Sequence, residues 1–298
     1  MKQRKTIFSH NGVVFGVRFI LMSDTAFFWF KQEDYMRKEN FMRKLISIVL
    51  VALLCAMALA GCSKKQEPVT LNVFAAASLT ESLNEIAALY KAKNPAVTLS
   101  FNYDSSGKLQ TQIENGAEAD IFISAAVKQM NTLADGGFVD TATRKDLLLN
   151  RVVLIVPGNS SKGIASYNDV AANKVSLIAL GNSAVPCGQY AEEIFKSLGV
   201  WDAIQSKISF GENVKEILSQ VESASVDAGV VYSTDVATAK GDVKIVADAP
   251  AGSHSPVVYP AAVLKGAKDA KAAKAFLAFL STPEAVAVFE KIGFKVVK

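Results

Sequence analysis

From residue 69 to the end, the chain alternates between two hydrophobic rhythms. Short apolar or alternating runs predict strands at Thr70–Phe74, Val97–Tyr103, Asp120–Ser124, Arg151–Val156, Val175–Leu180, Asp227–Tyr232, Val243–Ala247 and Val257–Leu264. Apolar residues three and four apart predict helices at Leu79–Lys93, Lys108–Asn115, Ala126–Asp135, Gln189–Leu198, Val214–Ser223, Ser233–Lys240, Lys271–Leu280 and Pro283–Ile292. Asn94-Pro95, Gly136-Gly137 and Pro157-Gly158 punctuate these elements, and Pro283 suits a first helical turn. Strand and helix trading places predicts an α/β fold with mainly parallel sheets. The 237 residues that follow position 61 are many for one open sheet, so two lobes are expected.

The rhythm is absent at the front. Residues 1–41 carry Phe and Trp clusters without periodicity and read as a non-native upstream extension, with Met36 or Met42 as the start. Met42, Arg43 and Lys44 precede an apolar run from Leu45 to Ala60 that is interrupted only by Ser47. A basic start, an apolar stretch shorter than a membrane span and small residues at its end make residues 42–61 a secretory signal. The run closes on Leu59-Ala60-Gly61-Cys62, which resembles the lipobox of bacterial lipoproteins. That resemblance implies cleavage before Cys62, a lipid on its sulfur and residues 62–68 as a tether.

Removing the signal reverses the charge. Residues 1–61 hold nine Lys and Arg against four Asp and Glu, a net +5 within a chain of net +4, so the remainder carries −1. A basic pI confined to the discarded segment gives no support to a nucleic-acid partner. Of three cysteines, Cys55 leaves with the signal and Cys62 takes the lipid, so Cys187 has no disulfide partner.

Candidate chemistry sits where strands hand over to helices. Ser78 follows the small run Ala75–Ala77 and stands three residues before Glu81, the spacing of a capping box. Such a start presents free N–H groups and the positive end of a helix dipole, a ready anion site. Four further loops share this form: Tyr103–Gly107, Val185–Ala191, Gly211–Val214, and Val230–Ser233, where Tyr232 emerges at a strand end. Ligands of α/β sheets collect at the carboxyl ends of strands. A single serine cap is ordinarily structural; five neutral donor loops at equivalent ends point to one ligand. Asp104 reads as a solvated turn residue.

Several fragments together resemble a known family, the periplasmic molybdate-binding proteins of bacterial ABC transporters. They are FAAASL from Phe74, SSGKLQTQIENGAEADIFISA from Ser105, TATR from Thr141, VPCGQYA from Val185, LGVWD from Leu198, GVVYSTDV from Gly229 and FEKIGFKV from Phe289. The resemblance covers nearly all of residues 69–298. It implies a two-lobed periplasmic-binding-protein fold of type II, with hinge-linked lobes and an oxyanion in the cleft between them. Lobe 1 would be residues 69–151 and 251–298, and lobe 2 residues 152–250. The implied ligand contacts are Ser78 and Ser106 through hydroxyl and backbone, Cys187 and Val214 through backbone N–H, and Tyr232 through its phenol. Several members have alanine where this chain has Cys187. The implied ligand is molybdate or tungstate, with no cofactor. The implied partners are an ABC permease and its ATPase, and the expected state is a lipid-anchored monomer on the outer face of the cell membrane.

Molybdate is a deprotonated tetrahedral dianion, so its site should offer donors and no carboxylate, and none of the five positions is acidic or basic. Sulfate or phosphate binding by the same fold is the alternative. A serine hydrolase using Ser78 is more remote: His254 is the sole histidine after the signal, and no Gly-x-Ser-x-Gly elbow is present. One histidine and one cysteine cannot form a metal-ligand cluster.

Overall fold

The computed structural model describes residues 36–51 and 67–297. The upstream extension as far as residue 35, the lipobox and Cys62 lie outside the described residues. Residues 36–51 form helix α1, whose apolar side chains from Leu45 to Val51 are exposed. They belong to a unit separate from the remainder of the chain. Among the described residues no single helix is long and apolar enough to cross a membrane.

The second unit begins with β1 (Val69–Ala76), a 3-10 turn (Ala77–Leu79) and α2 (Thr80–Lys93). β2 (Val97–Asp104), α3 (Ser106–Glu114), β3 (Ile121–Ile123), α4 (Val127–Asp135) and β4 (Lys145–Leu149) follow. The chain then builds β5 (Val152–Pro157), β6 (Ile178–Gly181), α5 (Pro186–Ser197), α6 (Trp201–Ile204), β7 (Ile208–Gly211), α7 (Val214–Glu222), β8 (Ala228–Tyr232), α8 (Ser233–Ala237) and β9 (Val243–Asp248). It closes with β10 (Val258–Val263), α9 (Ala270–Phe279), α10 (Pro283–Ile292) and β11 (Lys295–Val296).

These strands form two sheets, ordered β11-β4-β10-β3-β1-β2 and β7-β6-β8-β5-β9. The expectation of mainly parallel sheets needs correction, because both are mixed. Parallel trios β2-β1-β3 and β7-β6-β8 are flanked by antiparallel returns. β10 and β11 in the first sheet and β5 in the second run against their trios, while β4 and β9, each paired antiparallel with such a strand, run in the same direction as the trio. The hydrophobic pattern does not predict β4, β7 or the two-residue β11. Lys145-Asp146-Leu147-Leu148-Leu149 lacks alternation, and β7 is only four residues long.

The pleat explains the core. In β1, Leu71, Val73 and Ala75 join one buried cluster while Phe74 points to the other. In β3, Ile121 and Ile123 join the first cluster and Phe122 the second, and β10 repeats the split with Ala261 and Val263 against Ala262. Successive residues face opposite sides of the sheet, so one strand feeds two cores. Helix α7 shows the other rhythm: Val214, Ile217, Leu218 and Val221 are buried, the 3.6-residue stripe of an amphipathic helix. The Asn213 side chain caps it by accepting from the N–H groups of Lys215 and Glu216.

The two-lobed α/β arrangement of a type II periplasmic binding protein is therefore what the chain adopts. β4 passes to β5 through Asn150 and Arg151, and β9 returns to β10 through residues 249–257. The parallel trios send their carboxyl ends toward each other. Across the gap the lobes already touch. The Gly107 N–H donates to the Ala184 carbonyl at 3.0 Å, and Gln129 Nε2 donates to Gln189 Oε1 at 3.4 Å.

Candidate functional site

The cleft between the sheets is lined by Ala76, Ala77, Ser78, Asp104, Ser105, Ser106, Ala125, Val185, Pro186, Cys187, Val214 and Tyr232. All five residues expected from the sequence are brought together there. Each lining segment follows or ends one of the six parallel strands. The cleft volume is about 10 Å³. That is far below the roughly 300–1,000 Å³ of sites for larger organic ligands and leaves no room for one.

Backbone donors come first. Ser106, Cys187 and Val214 occupy the first turns of α3, α5 and α7, where N–H groups have no intrahelical acceptor. Pro186 starts α5 without an N–H, so Cys187 is its first donor. Asn213 takes the N–H groups of Lys215 and Glu216 and leaves that of Val214. Gly188 seats α5 against β6: a Cβ there would stand 2.1 Å from the Gly181 carbonyl oxygen. Three helix N-termini and the 3-10 turn thus aim partial positive charge at one point.

The hydroxyls divide into two groups. The Ser78 hydroxyl shares a hydrogen bond with the Tyr259 phenol at 2.9 Å, and Ser106 Oγ accepts from the Ala125 N–H at 2.9 Å. By contrast, the Tyr232 phenol and the Ser105 hydroxyl are buried and have no protein partner. Tyr232 is 1% exposed and Ser105 3%. A buried hydroxyl left unpaired costs free energy, so two of them facing one cleft call for a hydrogen-bonding guest. Sequence reasoning passes over Ser105 because the resemblance assigns the contact to its neighbour Ser106. The available signal is its position as N-cap of α3, which its side chain does not fill.

Two expectations about local roles are corrected. Ser78 does not cap α2. It lies inside the 3-10 turn, Leu79 is the N-cap, and no side chain caps this end. Glu81 instead reaches Lys215 of α7 at 2.8 Å. Asp104 is not simply solvated: it lines the cleft, and its Oδ1 accepts from the Ser105 N–H at 2.7 Å. The Cys187 thiol donates to the Val230 carbonyl at 3.4 Å, leaving the backbone N–H as its contribution to the cleft.

Charge is kept low among the donors. Burial pushes the Tyr232 phenol well above the ordinary tyrosine range and the Cys187 thiol well above that of a free cysteine. Both stay protonated at neutral pH. Behind Tyr232 lies Asp235, fully buried, whose Oδ2 accepts from the Tyr232 N–H at 3.1 Å. Burial pushes its carboxyl from the ordinary 3.8 up to about 6, against the opposing pull of Lys215. The folded chain then holds this proton more tightly than the unfolded chain between roughly pH 4 and 6, so Asp235 lowers stability as pH rises through that window. Asp235→Asn keeps an oxygen for the Tyr232 N–H. Its gain over wild type is expected to grow from near zero at pH 4 to about 3 kcal/mol at pH 7. Ligand-free thermal unfolding across that range checks this; a gain that does not change with pH contradicts it.

The comparisons with known proteins agree with this geometry. Residues 71–295 match the family described as "Bacterial extracellular solute-binding protein". The chain belongs to that family. It is 42% identical over 259 residues to YvgL of Bacillus subtilis, a candidate ABC transporter substrate-binding lipoprotein, covering 85% of this chain and 99% of that one. It is 38% identical over 257 residues to the molybdate-binding protein ModA of Haemophilus influenzae, with 85% and 99% covered. The solved periplasmic molybdate-binding protein of Azotobacter vinelandii superposes with a TM-score of 0.68 at 25% identity, over 76% of this chain and all of that one. As an extracellular solute-binding protein the chain is not an enzyme, and the hydrolase alternative is set aside. His254, the base that alternative needed, lies in the loop before β10 and packs edge-on against Tyr190 at 5.6 Å.

Proposed function

We propose that this solute-binding protein captures molybdate, and with it tungstate, and delivers the anion to an ABC permease. The observation that carries this reading is the pair of unpartnered buried hydroxyls, Tyr232 and Ser105, in a small cleft rimmed by helix N-termini. A deprotonated tetrahedral dianion needs donors on every side, and neutral N–H and O–H groups can hold it without a counter-charge. Relatives named for molybdate binding support the choice of anion. Ser78, Ser106, Cys187, Val214 and Tyr232 are the proposed contacts, with Ser105 added. The lobes would hinge near Arg151 and Pro250 and close over the ligand. The lipoprotein name of one relative supports a lipid on Cys62 and a place on the outer face of the membrane.

A second reading rests on Asp104. A carboxylate at the cleft could accept the proton of monohydrogen phosphate, which a site for a fully deprotonated anion does not require. Calorimetry at pH 7.5 with molybdate, tungstate, sulfate and phosphate separates the two. Tight binding of molybdate and tungstate with weak sulfate and phosphate is expected, because the metal oxyanions are larger. Sulfate bound as tightly as molybdate would refute the assignment. Phosphate binding that Asp104→Asn abolishes would favour the second reading.

A further inference from the structure

Val214 contributes its N–H from the N-terminus of α7, and the residues beside it reach across the cleft. Glu212 Oε2 lies 2.5 Å from Lys108 Nζ of α3. Lys215 Nζ lies 2.8 Å from Glu81 Oε2 of α2. Resting on the oxyanion reading above, we propose that these two ion pairs are a closure seat. They dock the start of α7 onto the first lobe and so position the Val214 N–H on the bound anion.

The geometry has three features of a seat. First, the two pairs bracket Val214 in sequence and join the start of α7 to α3, which begins at Ser106, and to α2, which follows the 3-10 turn that holds Ser78. Second, their polarity is reversed: the first lobe supplies an acid and a base, and the second a base and an acid. A slipped register would set Glu81 against Glu212 and Lys108 against Lys215, so like charges oppose misdocking. Third, the second-lobe groups are held from behind. Glu212 accepts from Asn182 Nδ2 at 3.3 Å, and its N–H donates to Glu216 at 2.8 Å. Lys215 donates to Thr238 Oγ1 at 3.2 Å and stands 3.6 Å from the buried Asp235. Asp235 in turn holds the Tyr232 backbone, which links the seat to the phenol donor.

The side chains are partly exposed, at 26% and 37% for Lys215 and Glu81 and 36% and 55% for Lys108 and Glu212. Each pair therefore contributes modestly, as exposed ion pairs do. Glu81, Lys108, Glu212 and Lys215 are positioning residues, since none is needed to touch the anion.

The sign of the effect separates a seat from simple charge attraction. Glu81→Gln and Glu212→Lys both make the surroundings of the cleft more positive. Bulk electrostatics would tighten binding of a dianion in each. A closure seat requires the opposite: about three-fold weaker binding for Glu81→Gln, and about ten-fold for Glu212→Lys, which places two lysines face to face. Lys108→Glu is expected to lose a similar factor. The charge-swapped pair Lys108→Glu with Glu212→Lys should return to within about two-fold of wild type. Competition calorimetry on the chain from residue 66, a compact unit by itself, is the measurement, with molybdate and tungstate as probes. Both anions should shift by the same factor in each variant, because closure rather than anion contact is changed. Tighter or unchanged binding in Glu212→Lys, or a swapped pair no better than its single variants, overturns the seat and leaves the function proposal standing. A wild-type protein that binds none of the four tetrahedral anions overturns both.

Discussion

Gly107→Ala is expected to weaken molybdate binding by about 100-fold while the Tm of the ligand-free protein stays within a few degrees of wild type. Gly107 lies in the first turn of α3, on the first lobe. A Cβ added there would meet Ala184 of the second lobe, with its carbonyl oxygen at 2.4 Å, its Cα at 2.8 Å and its carbonyl carbon at 3.0 Å. Those are the three nearest atoms, and all are backbone of the opposite lobe, so no side-chain rotation relieves the clash. The same approach carries the Gly107 N–H to Ala184 hydrogen bond at 3.0 Å. Relief requires the lobes to stand apart by about 1 Å, beyond good hydrogen-bond distance for donors on the far side. Cys187, Val214 and Tyr232 are the donors proposed on that side. A hydrogen bond to a charged group contributes about 1.5–3 kcal/mol, so weakening even two of them accounts for a 100-fold loss. The ligand-free lobes can open and avoid the contact, which is why stability should hold. Calorimetry paired with thermal unfolding checks both halves. Wild-type affinity in this variant would mean that the ligand-bound lobes do not close to the Gly107–Ala184 contact.

Tyr232→Phe should move two quantities in opposite directions. Anion binding is expected to weaken by about 1.5–3 kcal/mol, the loss of one hydrogen bond to a charged ligand. Stability of the ligand-free protein is expected to rise by about 1 kcal/mol, because the phenol is buried without a protein partner and the ring packing is retained. The ring stays edge-on to Tyr259 at 5.9 Å in either case. Ser106→Ala provides the contrast. Its hydroxyl accepts from the Ala125 N–H, so removing it orphans a buried donor and should lower both binding and stability. A Tyr232→Phe variant that loses stability would show that the phenol has an internal partner and is not held for a guest.

Much of the site is legible in the amino-acid sequence. Apolar spacing and Pro186 are local signals that put the loops Tyr103–Gly107, Val185–Ala191 and Gly211–Val214 at helix starts, and the family resemblance singles out Ser106, Cys187 and Val214 within them. Tyr232 falls at a strand end for the same reason. Two roles are not legible in this way. Ser78 has the spacing of a capping box with Glu81, yet its hydroxyl bonds Tyr259, 181 residues away. Glu81 is drawn off to Lys215, 134 residues away. A spacing rule counts positions along one helix and cannot weigh partners arriving from another. Ser105 escapes because an N-cap serine is ordinarily satisfied by its own helix, and only the packing around it shows that this one is not.

The chain's hydrophobic periods, its caps and its strand-to-helix loops determine by themselves that the protein is α/β and that neutral donors gather at strand ends. Hydrogen-bonded periodicity and capping act within a few residues, so a linear reading can recover them. Mixed rather than parallel sheets, the 3-10 turn at Ser78, Asp104 in the cleft and the ion pairs that bracket Val214 are decided only by tertiary structure. Each depends on which side chain meets which across a hundred residues or more, or on an edge that returning strands complete. Those meetings are set by packing within each lobe and between the two, which no local pattern encodes.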